Sequence, residues 1–162
     1  AAYFGLSGLT GMLLFGVLSD RLAARSPAGP PKLAAASLFA ATICILLVTW
    51  SDEFSQSKML AIPSGLLGGG WSVGVMASLQ FLLPDRYRAT ATASFAAVTT
   101  LIGLLAGPWL AGTMSELFGD AAHSLRFGLS VTIPAGFIAA LFLWSSARSL
   151  VEERNKLAAL EA

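Results

Sequence analysis

Two charged strings and a thin set of polar side chains carry the chemistry this sequence offers. The first string is Gly16-Val17-Leu18-Ser19-Asp20-Arg21-Leu22-Ala23-Ala24-Arg25, which reads G-x-L-x-D-R-x-x-x-R. Gly16 lets a neighbouring helix approach closely. Asp20 puts a carboxylate where an apolar run ends, suited to the N-terminus of a neighbouring helix. Arg21 and Arg25 stand four apart, so on a continued helix they share a face and can pair with acids. The second string is Pro84-Asp85-Arg86-Tyr87-Arg88. Asp20 or Asp85 is expected to pair with Arg21, Arg25, Arg86 or Arg88. A basic loop occurs on any membrane protein, so the full first string is more informative than its charges.

Within the apolar runs the candidates for meeting a solute are Thr10, Trp71, Ser72 and Thr99, with Ser7 and Thr100 beside them. Trp71 can stack on a ligand and donate one hydrogen bond. The plainer alternative is that the hydroxyls bond back to their own helices and Trp71 only packs. No Asp, Glu, Lys, Arg or His lies in the middle of an apolar run. An ionisable group there would mark a proton relay or a countercharge. Any ion-coupling group must therefore lie elsewhere. Cys44 is the one cysteine, so no internal disulfide is possible. Glu116 reads as an interfacial acid and His123 as a loop residue. No cofactor or metal is expected. An intramembrane serine protease would need a His at depth, and a phosphatidyl-group transferase would need repeated aspartates. Neither is present, and zinc chemistry lacks ligands.

These residues sit in a chain of 162 residues that is 56% hydrophobic and only 12% charged. Soluble domains carry about 25% charged residues. A net charge of +1 gives no reason to expect nucleic acid as a partner. A membrane helix needs roughly 17–25 mostly apolar residues. Five segments qualify: 1–18, 33–50, 59–83, 90–118 and 127–147, followed by a charged tail at 148–162. The expected class is an all-α integral membrane protein, its surface covered by the lipid bilayer. Barrel strands of about 10 residues with a period of two fit poorly, because these runs are longer and continuous. Gly103 and Gly107 fall on a small-residue stripe in the fourth span, and Pro108 removes a backbone bond there. The glycines of the third span, Gly65, Gly68, Gly69, Gly70 and Gly74, suit either sliding or tight static packing. The tail carries Glu152 and Lys156 four apart and reads as a short surface helix.

Lys and Arg placement gives an orientation. If all five segments span, Arg21, Arg25, Lys32, Arg86, Arg88, Arg148, Arg154 and Lys156 share one side, eight of the ten basic residues. Lys58 and Arg126 lie on the other. This places the C-terminus in the cytoplasm, in a plasma membrane or bacterial inner membrane. Trp50 and Trp144 fall at span ends, at interface depth.

The first string resembles the signature loop of the major facilitator superfamily, which joins the second and third helices of each six-helix half. Pro84, Arg88-Ala89-Thr90-Ala91, Leu101-Ile102-Gly103, Gly107-Pro108, Gly112, Ser115-Glu116, Phe118-Gly119 and Ser124-Leu125-Arg126 resemble the tenth-to-twelfth helix region of that family. The stretch from Arg88 to Gly119 is most similar to spinster-like and organic-anion members. The resemblance implies helices eight to twelve of a transporter, a partial six-helix bundle cut from a longer chain. It implies a small-molecule substrate, alternating access, and a missing N-terminal half as partner. It assigns Gly16, Asp20 and Arg21 to a cytoplasmic gate, to which Arg25 and Arg88 are neighbours. It turns the first, third and fourth spans to a central cavity, and the second and fifth more to lipid. The alternative is a truncated membrane protein that does not transport and has a binding or assembly role.

Overall fold

The structure is a computed structural model and describes residues 2–117 and 124–160. Those residues form helices joined by short turns: α1 Ala2–Arg25, α2 Gly29–Trp50, α3 Phe54–Leu82, α4 Asp85–Leu117, α5 Ser124–Thr132 and α6 Ala135–Leu160. Among the described residues, five spans are long and apolar enough to cross a membrane, with α5 and the start of α6 together making the fifth. A backbone in hydrocarbon must satisfy its polar groups internally, which is why continuous apolar runs resolve as helices.

The ends of the helices follow local chemistry. Pro30 and Pro31 occupy the first turn of α2, where a missing N–H costs little. The Ser26–Lys32 stretch is therefore mostly helix, and the turn narrows to Ser26–Ala28. Leu83 is extended ahead of Pro84, as residues before proline prefer, and α4 starts at Asp85. The helices run further than the apolar segments, because flanking charged residues continue a helix in water. The charged tail continues α6 unbroken to Leu160 and does not form a separate helix. The Glu152–Lys156 pairing, His123 and the Phe118-Gly119 pair lie outside what is described. Pro108 sits inside an unbroken α4, as Pro63 does in α3. The chain instead breaks before Pro134, where Ile133 N–H donates to the Leu129 carbonyl at 2.8 Å and closes α5.

Small residues set the packing, as expected where lipid is as apolar as leucine and only close contact favours association. A Cβ on Gly11 would overlap the Leu66 backbone, and one on Gly69 would overlap the Gly8 carbonyl. Phe15 lies against Gly70, and Val73 lies 3.8 Å from where a Gly16 Cβ would sit. Both sets of numbers rise together, so α1 and α3 run parallel. Between α2 and α6 the numbers run oppositely: Thr42 against Gly136, Phe39 against Phe137 at 4.9 Å, and Lys32 Nζ 5.9 Å from the Trp144 ring. Gly74 packs on Pro30 and Ala34, so α2 is antiparallel to α3 as well. Gly128 of α5 packs on Ala111 and Ser115 of α4.

The chain thus alternates direction from span to span. The α2 helix is clasped by α3 on one side and α6 on the other, and is among the more buried spans. The α4 helix has no buried residue, and Gly103, Gly107 and Gly112 have nothing within 4 Å of an added Cβ.

Candidate functional site

The parallel register of α1 and α3 brings their C-terminal ends to the same face of the bundle. The G-x-L-x-D-R-x-x-x-R string is helical throughout, so Arg21 and Arg25 do lie on one helix face. The second charged string begins α4, just after the end of α3. Both strings therefore occupy one end of the molecule, with Lys32 and Arg148. Lys58 and Arg126 lie at the opposite end. The antiparallel contacts of α2 with α3 and α6 fix this grouping independently of any hydropathy rule.

At the basic end, Arg88 Nη1 lies 2.7 Å from Asp85 Oδ1, and its Nε donates to the Leu83 carbonyl at 2.9 Å. Arg88 therefore ties the first turn of α4 back to the end of α3. The Arg86 guanidinium lies 4.4 Å from the centre of the Tyr87 ring. Of the two acids expected to pair, Asp85 does so. Asp20 is exposed, and among the described residues it makes no ion pair. Arg21 and Arg25 are exposed too. Ser19, inside the first string, is fully buried, and its hydroxyl has no hydrogen-bond partner. Gly16 meets Val73 only at ordinary contact distance, so the tightest α1–α3 approach is at Gly8 and Gly11.

The apolar-run candidates are distributed over three helices. Thr10 Oγ1 donates to the Ser7 carbonyl at 2.8 Å, Ser72 Oγ to Gly69 at 3.1 Å, and Thr99 Oγ1 to Phe95 at 2.7 Å. Each hydroxyl is turned into its own helix. Trp71 lines a cavity of about 720 Å³ with Leu38, Val75, Phe95 and Leu143, and Thr10, Ser72 and Thr99 do not line that cavity.

The opposite end holds a contact that sequence reading missed. Trp50 Nε1 donates to Ser130 Oγ at 2.9 Å, and its ring meets Phe127 edge-on at 5.5 Å. Arg126 forms an ion pair with Asp52 one step further out. The available signal was a Trp and an acid closing one span, with a base and a Phe opening another. Lys58 Nζ lies 4.3 Å from the Phe54 ring centre and 5.9 Å from that of Tyr3, beside a cavity that all three line. Glu116 is exposed and Cys44 half-buried.

Compared with protein-family models, with curated proteins and with solved structures, the chain matches none.

Proposed function

We propose that this chain is part of a secondary transporter of the major facilitator kind, supplying five of the helices that move a small solute by alternating access. The observation that carries the proposal is the G-x-L-x-D-R-x-x-x-R string at the basic end of α1. Its position after an apolar span and its exposed Asp20, Arg21 and Arg25 suit a gate that closes against another part of the protein. The basic end is the cytoplasmic one by the positive-inside rule, which leaves the C-terminus in the cytoplasm. The exposed α4 glycines and the absence of any buried residue on that helix suit a span that completes its packing against further helices. Trp71, Thr10, Ser72 and Thr99 stay the candidates for a central cavity, but with the three hydroxyls bonded to their own helices, the polar groups that meet the solute would come mostly from the other half.

The deciding experiment is to read the coding frame upstream of residue 1. A frame encoding about seven more spans, with a second copy of the string, is the expected result. A start codon immediately upstream of residue 1 would overturn the proposal and favour a binding or assembly role.

A further inference from the structure

Between α2 and α6 lies an open groove of about 400 Å³. Its floor is Ala35 and Ala140, both buried, whose small side chains leave a depression where the two helices meet. Its walls are Ala36 and Phe39 of α2 and Leu141 and Trp144 of α6. Phe39, Leu141 and Trp144 are exposed along it. The lining holds no polar side-chain atom except the Trp144 indole N–H, so it offers hydrocarbon and ring surface.

Each wall ends in a cation at the same level. Lys32 precedes Phe39 by seven residues on α2, and Arg148 follows Leu141 by seven on α6. Seven residues are about two helical turns, so each cation shares the face of the lining residue about 10 Å away. Because α2 and α6 are antiparallel, both displacements run toward the basic end. The contact of Lys32 Nζ with the Trp144 ring, at 5.9 Å from its centre, joins the two walls directly. Arg148 stands one turn beyond Trp144 on the same face. Both cations are exposed, and among the described residues neither forms an ion pair. Asp85, at the same end, is engaged by Arg88, and the side chain of Glu152 is outside what is described.

We infer that the α2–α6 groove seats an acyl chain of an anionic phospholipid from the leaflet at the basic end, with its phosphate between Lys32 and Arg148. The apolar lining selects a hydrocarbon chain, and the two uncompensated cations at its mouth select a negative headgroup. The inference rests on this groove and holds whether or not the chain belongs to a transporter.

The test uses the full chain carrying Trp50→Phe, Trp71→Phe and Trp109→Phe, so that Trp144, in the groove wall, is the only Trp fluorophore. It is reconstituted in mixed vesicles of phosphatidylglycerol and phosphatidylcholine, with brominated acyl chains on one lipid or the other. The two quenching curves give the relative occupancy beside Trp144. Phosphatidylglycerol is expected to be favoured about fivefold or more, since one surface cation favours an anionic lipid by roughly that factor. Lys32→Gln with Arg148→Gln should bring the ratio to about one. Arg86→Gln, which removes a cation from the same end but not from this groove, should leave the ratio unchanged. Ala36→Phe, which fills the groove and keeps both cations, should also lower the ratio toward one, with circular dichroism confirming unchanged helicity. Equal occupancy by the two lipids in the parent would overturn the inference. So would a preference that survives loss of both cations or filling of the groove, or one that Arg86→Gln abolishes. Absence of quenching by either lipid would overturn it as well, since protein rather than lipid would then cover the groove.

Discussion

Trp50 and Ser130, eighty residues apart, are joined by a hydrogen bond of 2.9 Å that fastens the end of α2 to α5. With Phe127 against the indole edge, it holds the short helix before the Pro134 break onto the span that runs beside it. A hydrogen bond contributes about 1 kcal/mol net, and an edge-on aromatic pair about 0.5–1.5 kcal/mol. Trp50→Ala should therefore destabilise the chain by about 2 kcal/mol in detergent unfolding, and Trp50→Phe by about half as much. Asp52→Asn should change little, since exposed ion pairs are worth about 0–1 kcal/mol. Equal stability of Trp50→Ala and the parent would show that this contact holds nothing.

The glycines of α1 and α4 should behave oppositely. Gly11→Leu drives a side chain into the Leu66 backbone, and overpacking of that kind costs about 1–3 kcal/mol or more. Gly103→Ala and Gly107→Ala meet open space in this chain and gain helix propensity, worth about 0.5–1 kcal/mol each. Thermal melts of the purified chain distinguish the two classes. If the α4 variants lose stability in the chain alone, that face is covered within it. If they lose function only in a longer protein, another helix covers it there.

Ser19 gives a prediction of unusual sign. Its buried hydroxyl has no partner, and leaving such a group unpaired costs about 1–3 kcal/mol. Ser19→Ala should be neutral or stabilising, whereas Ser37→Ala and Thr42→Ala remove hydroxyls that are bonded to their own helix. A loss of more than about 1 kcal/mol in Ser19→Ala would reveal a bound water or other partner.

The gate assignment separates Asp20 from Asp85. In the complete reading frame, Asp20→Asn or Gly16→Leu should reduce solute flux while membrane insertion is preserved. Asp85→Asn, which frees an exposed Arg88, should have the smaller effect. Normal flux in both gate variants would remove the gate role from this string.

The spans were legible because each apolar run is about as long as a bilayer is thick, with charges and turn residues between. Their ends were less so. Asp85, Arg86 and Arg88 look like loop residues by charge but continue readily into a helix, so α4 begins among them. Pro108 and Pro134 look alike in sequence. One lies inside a helix and the other just past the break that ends α5, where Ile133 bonds back to Leu129. Glycine patterns showed that close approach was possible but not where. Gly11, which belonged to no motif, marks a tight crossing, whereas Gly103 and Gly107 face open space. The midplane candidates were chosen by depth, which says nothing about which way a side chain turns. Thr10, Ser72 and Thr99 each turn into their own helix. The Trp50–Ser130 clasp joins residues too distant in sequence for any local pattern to register.

The most direct test of a five-span protein with its charged strings in the cytoplasm is cysteine accessibility in whole cells. In a Cys44→Ser background, single cysteines would replace Ser26, Ser55, Tyr87 and Leu125, all exposed at helix ends or turns. A membrane-impermeant thiol reagent should label positions 55 and 125 in intact cells, and positions 26 and 87 only after permeabilisation. Labelling of 26 and 87 from opposite sides of the membrane, or of all four from outside, would contradict the topology and the transporter reading with it.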